Sequence, residues 1–128
     1  ALMNRAEAYV QTNQFDLALR DLNDFASVRI TNYNPTTHGL TVAKAKAYYN
    51  LADDKEALMK SILDVKRIAF MQEGIRWMDI VRLDIPVKHN HIDLSGLETF
   101  TTLEANDPRR VFQIPSTAIN LGIEPNAR

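Results

Sequence analysis

The sequence predicts a mainly α fold: a helical hairpin, then a long broken helix, then a small C-terminal β-hairpin with an extended tail. Three observations lead there. Apolar residues recur at helical spacing from Leu2 to about Phe70. The period changes to two beyond Pro86, where Val87, His89 and His91 alternate with Lys88, Asn90 and Ile92. Turn-forming residues fall between these segments, at Asn13-Gln14, from Asn32 to Gly39, at Gly74, at Ser95-Gly96 and at Asp107-Pro108.

The first helix places Leu2, Ala6, Tyr9 and Val10 on one face. After Asn13-Gln14 a second helix is expected from Phe15 to about Ile30, with a stripe of Phe15, Ala18, Leu19, Leu22, Phe25 and Ala26. Asp16 sits in its first turn, where negative charge suits the helix dipole. Ala6 and Ala18 would let the two helices approach closely. Residues 31–40 read as a loop. Thr41 is a cap for a helix from Val42 to Tyr49, and Asp53 or Asp54 is a cap for a long helix starting near Lys55. That helix carries Leu58, Ile62, Val65 and Ala69 in one row, beside Met59, Leu63, Lys66 and Phe70, and is expected to reach about Glu73. Gly74 re-aims the chain, a short helix follows from Ile75 to Leu83, and Pro86 prevents its continuation. Thr99, Thr101 and Leu103 form the returning strand of the hairpin. Val111 to Pro115 is a short extended piece, and Ser116 is expected to cap a final turn, Thr117 to Leu121.

Bulk composition narrows the function classes. The chain has 128 residues, 45% of them hydrophobic and 24% charged, as in a globular domain. Its formal net charge is -1, from 15 basic and 16 acidic residues, and the basic residues are spread out, so no nucleic-acid partner is expected. Cysteine is absent, which excludes disulfides, thiolate chemistry and cysteine-ligated zinc. No apolar run approaches the roughly 20 residues that span a bilayer. Ala1-Leu2-Met3-Asn4-Arg5 reads as the interior of a helical pattern, with neither cap nor signal peptide, so a longer parent with an upstream targeting signal is expected. The closing stretch, 122–128, reads as an extended, polar natural terminus.

The opening hairpin is tetratricopeptide-like: Ala6, Tyr9 and Ala18 have the spacing of that repeat, with Leu2 in place of its tryptophan and no second copy downstream. The central segment is more telling. Arg67 lies on the long helix, and Glu73-Gly74-Ile75-Arg76-Trp77-Met78-Asp79-Ile80-Val81-Arg82 follows. This resembles the SusD/RagB family signature, Glu-Gly-x-Arg-Trp-x-Asp-x-x-Arg after an arginine-bearing helix. Val111-Phe112-Gln113-Ile114-Pro115-Ser116 is similar to the family's apolar-Pro segment, and Glu124-Pro125-Asn126 to its ending. The resemblance spans nearly the whole chain in the right order. Ala69 stands where the family usually has an acidic residue, and Lys66-Arg67 where it has an arginine pair.

The resemblance implies that residues 1–128 are a single C-terminal portion of such a protein, divided as hairpin 1–32, helices 41–83, and β-hairpin and tail 84–128. It implies a non-catalytic role, the capture of glycan at the bacterial cell surface and its delivery to a SusC-type TonB-dependent transporter. An outer-membrane lipid anchor would lie upstream, and no cofactor is expected. The alternative is a tetratricopeptide-type protein–protein interaction module; a hydrolase is a further rival.

Read on their own, Glu73, Arg76, Asp79 and Arg82 are each three residues apart, so a continuous helix would carry them as a ladder of alternating charge. With Trp77 beside it, the ladder would act as a structural joint. Trp77 is also a candidate sugar-stacking surface, and Tyr33, between Asn32 and Asn34, is a candidate sugar contact or else a loop anchor. Asp21, Asp24, Asp53, Asp54 and Glu56 read as caps and solvated charges rather than as an acid/base pair. His89 and His91 could share a strand face, but a metal would need a third ligand such as Asp93. No nucleophile elbow or phosphate-cradling glycine loop occurs, so no catalytic residue and no metal site is assigned.

Overall fold

The structure, a computed structural model, describes residues 1–127. It is mainly helical, with one small two-stranded antiparallel sheet. The chain divides into two compact units, residues 1–73 and 74–128. The division falls at Gly74, inside the 41–83 segment that the sequence reading grouped together.

The first unit holds α1 (Leu2–Gln11), α2 (Phe15–Ser27), α3 (Pro35–His38), α4 (Val42–Tyr49) and α5 (Asp54–Ala69). Its core is built from small and branched residues. Ala6, Ala18, Ala45 and Ala57 are fully or almost fully buried, which lets the helix backbones come close. Leu58, Ile62, Val10, Leu22 and Met3 fill the space between them. Burying a leucine or isoleucine of this kind stabilises by roughly 1.5–3 kcal/mol.

Caps set the helix starts. The Thr41 hydroxyl accepts from the Lys44 N–H at 3.2 Å, and the Asp53 carboxylate accepts from the Glu56 N–H at 2.6 Å, so Asp53 rather than Asp54 is the cap. Asn13 turns α1 into α2 through a left-handed conformation (φ 60°), a shape asparagine tolerates.

Three boundaries differ from expectation. The expected loop 31–40 contains α3, because Asn34 accepts from the Thr36 N–H at 2.9 Å and Pro35 stands at the first helical position. Helix α2 stops at Ser27, not Ile30. Helix α5 stops at Ala69, not Glu73: Phe70 leaves helical geometry and Gln72 takes a left-handed φ of 73°.

The second unit holds α6 (Ile75–Arg82), β1 (Val87–Ile92), β2 (Glu98–Leu103), a 3-10 turn (Pro108–Arg110) and α7 (Ser116–Ile119). The strands pair in antiparallel register from Val87 opposite Leu103 to Ile92 opposite Glu98. Their turn is organised by Asp93, whose carboxylate accepts from the N–H groups of Ser95 at 2.8 Å and Leu97 at 3.0 Å and from the Ser95 hydroxyl at 2.6 Å. The Ser95 bond above all, with the backbone donors, holds this carboxyl below its ordinary range. Gly96 takes the left-handed position (φ 84°) that the turn requires.

Ser116 is not the cap expected. It is the first residue of α7, Pro115 precedes it as the cap, and no side chain caps the helix. The extended tail is tied down: the Gln113 side chain donates to the Asn126 carbonyl (3.1 Å) and accepts from the Asn126 N–H (2.8 Å). Arg128, the last residue of the expected tail, lies outside the described residues. Among those described, no helix is long and apolar enough to cross a membrane.

Candidate functional site

The segment from Glu73 to Arg82 turns at Gly74, whose φ of 72° is the left-handed geometry that glycine adopts without strain. Gly74 caps α6, and the Trp77 N–H returns to its carbonyl at 3.2 Å. Asp79 is 2% exposed in the middle of α6. Arg82, one turn on, reaches back to its Oδ1 with Nη2 at 2.6 Å and Nε at 3.0 Å. Trp77 is half-buried, its ring centroid 5.9 Å from that of Phe112.

The expected four-residue ladder is not one helical face. Glu73 is exposed and precedes the capping glycine, outside both α5 and α6. Of the ladder's steps, Asp79–Arg82 closes as an ion pair. Arg76 keeps a buried Nη1 with no hydrogen-bond partner among the described residues. Arg67 pairs instead within α5, its Nε 3.3 Å from Asp64.

A residue that the sequence reading passed over organises this unit. Arg110, one of the basic residues spread along the sequence, is 7% exposed. Its guanidinium donates to the carbonyls of Ile80 (2.9 Å), Ile85 (2.7 Å), Glu104 (2.8 Å) and Leu103 (3.4 Å). The end of α6, the following loop and the end of β2 are thereby gathered around one side chain. Arg109 stays on the surface and grips Asp107, with contacts of 2.6 and 2.9 Å.

The first unit carries a groove of about 310 Å³ whose lining includes Asn23, His38, Leu40, Tyr48, Tyr49, Asp64, Arg67 and Ile68, within the size range of small-molecule sites. Tyr48 is 80% exposed and meets Tyr49 edge-on, with centroids 4.8 Å apart at 89°. The Tyr49 hydroxyl donates to Asp64 Oδ2 at 2.7 Å. Burial, then the Asp64 carboxylate, pushes that hydroxyl well above its ordinary range, so it remains a donor. Beyond this polar end, a second, apolar hollow of about 470 Å³ is lined by Phe25, Ala26, Arg29, Ile30, Val65, Ile68 and Ala69.

Tyr33 is half-buried. Its hydroxyl lies 3.5 Å from Asn23 Oδ1 and its ring 5.9 Å from His38, both of which line the groove. Asn23 in turn bonds the Leu40 backbone twice, at 2.7 and 3.0 Å. Tyr33 and Trp77 belong to different units. The bond between Tyr49 and Asp64 joins residues fifteen apart and leaves no local pattern in the sequence.

The remaining carboxylates named from sequence are largely engaged. Asp21 receives Arg5 through two bonds of 2.7 and 2.8 Å, Asp54 pairs with Lys46 at 2.7 Å, and Glu56 with Lys60 at 3.3 Å. His89 and His91 are exposed on β1, and no group of three metal-ligating side chains occurs among the described residues. No family model matches the chain, nor does any curated protein or solved structure.

Proposed function

We propose that the chain is the C-terminal portion of a SusD/RagB-type protein, which binds glycan at the bacterial surface without catalysis and passes oligosaccharide to a SusC-type TonB-dependent transporter. The observation that carries the reading is the signature segment itself. Its glycine takes a left-handed turn, its aspartate is buried, and its last arginine holds that aspartate. Each of these signature positions thus has a geometric reason to be the residue it is. The occupation of Asp21, Asp53, Asp54 and Asp107 in caps and ion pairs favours recognition by stacking and hydrogen bonds over acid/base chemistry.

The test is to express the full-length parent in its host. Surface-protease sensitivity and co-purification with a TonB-dependent barrel are expected, together with calorimetric binding of oligosaccharides. A cytoplasmic parent that binds no oligosaccharide would overturn the reading. One observation favours a second reading, a tetratricopeptide-type interaction module: the apolar hollow along Phe25, Ile30 and Ile68 suits a peptide with an apolar row. Saturable binding of such a peptide by a cytoplasmic parent would select it.

A further inference from the structure

We infer that the polar end of the first unit's groove, at Tyr48, Asp64 and Arg67, is a subsite for one neutral sugar ring. The inference takes its ligand class from the glycan-binding reading above and its place from the groove. Three features point there. Tyr48 offers an aromatic ring that is 80% exposed yet held by its edge-on contact with Tyr49, so little side-chain freedom is lost when a ligand covers it. Beside it, Asp64 is fixed from two directions, by the Tyr49 hydroxyl at 2.7 Å and by Arg67 Nε at 3.3 Å. A carboxylate and a guanidinium side by side present planar acceptors and donors, which match the adjacent hydroxyl groups along one edge of a pyranose.

The charge state selects among ligands. Arg67 is neutralised by Asp64, so a phosphate or sulfate approaching the guanidinium also meets a carboxylate. A cation would meet the guanidinium. A neutral polyhydroxyl ring meets neither penalty, because each hydroxyl both donates and accepts. The apolar lining from Leu22 and Val65 suits the C–H face of such a ring rather than a fully hydrated ion.

An open groove that holds one ring predicts dissociation constants of about 1–10 mM. The test is a titration of the chain, followed by ¹H–¹⁵N NMR, with methyl α-D-glucopyranoside, methyl β-D-galactopyranoside and methyl α-D-mannopyranoside, and with sodium phosphate for comparison. At least one glycoside is expected to shift the Arg67 Nε–H and the Tyr48 and Asn23 backbone amides, and to leave the Trp77 indole unmoved. Tyr48→Ala should weaken that binding about tenfold. The exposed position keeps this variant folded, and its thermal melt checks that. Asp64→Asn should weaken it too.

Silence of the groove toward all three glycosides, shifts confined to Trp77, larger shifts with phosphate, or unchanged affinity in Tyr48→Ala would each overturn the inference. Groove silence beside an oligosaccharide-binding parent at the cell surface sinks this subsite alone. Groove binding beside a cytoplasmic parent sinks the SusD/RagB reading alone.

Discussion

The two units are held by different forces. Among the described residues, all nine of the buried hydrophobic side chains, Met3 to Ile62, lie in the first. In the second, the buried side chains among the described residues are Asp79 and Arg110, both charged, while Ile92, Leu94, Leu97, Phe100, Phe112 and Leu121 stand exposed. The contrast does not come from a shortage of apolar residues after Gly74. It comes from the alanines at 6, 18, 45 and 57, which let helices close upon one another. The hairpin exposes both of its faces, and two strands alone bury too little to hold together in water. What gathers the second unit is directional: one guanidinium aimed at four carbonyls, and one glutamine side chain paired with the tail.

The comparison can be broken most sharply in the first unit. Leu58→Ala should lower its stability by about 2–5 kcal/mol, because the side chain is fully enclosed and the alanine-lined helices have little room to collapse. Urea unfolding followed by helical circular dichroism reads this, and a loss below about 1 kcal/mol would mean that burial is not what holds the bundle.

Arg110→Ala should be next, destabilising the second unit by about 3 kcal/mol. It strips the Ile85 carbonyl of its donor, and a buried acceptor left unsatisfied costs about 1–3 kcal/mol. It also removes one of two donors from the carbonyls of Ile80 and Glu104, which keep the N–H groups of Ile85 and Asp107. Trp77 emission and amide protection along β2 would report it; retained protection would show that the guanidinium is dispensable. The smallest effect is at Asp107, where the Arg109 side chain, then its N–H, holds the carboxyl down at about 2. A folded value below the unfolded one means that the bond's contribution is present above the ordinary aspartate range and is lost as pH falls through about 2. A ¹³C titration should find that midpoint, and Arg109→Ala should raise it part of the way toward the ordinary range, because the backbone N–H of residue 109 still donates to the carboxylate.

Much of the helical layout was legible because its signals are local. Thr41 and Asp53 cap where their side-chain chemistry says they should, Gly74 breaks the chain, and Val87 and Leu103 face one another across the hairpin. What stayed hidden depends on distant partners or on one unusual dihedral. Gln72 ends the run of α5 in a left-handed conformation that a glutamine does not advertise. Arg109 and Arg110 are chemically identical neighbours, and the carbonyls that hold Arg110 inside include those of residues 80 and 85, twenty-five or more positions away. The groove failed to announce itself for the same reason. Tyr49 and Asp64 lie on separate helices, and neither residue is unusual where it stands.

One contact in the helical unit decides the vertical stagger of its helices. Lys66 is 6% exposed, and its ammonium lies 3.6 Å from Glu7. It continues the row of Leu58 and Ile62, each four residues apart, so a slide of α5 by one turn would seat Ile62 where Leu58 belongs with little change in volume. The same slide would carry the ammonium into the dry slot of Ile62; a slide the other way would bring an isoleucine against Glu7. Either shift strands a charge away from water, at a cost of several kcal/mol. Greasy surfaces leave neighbouring alignments nearly degenerate, and a single enclosed lysine removes that ambiguity.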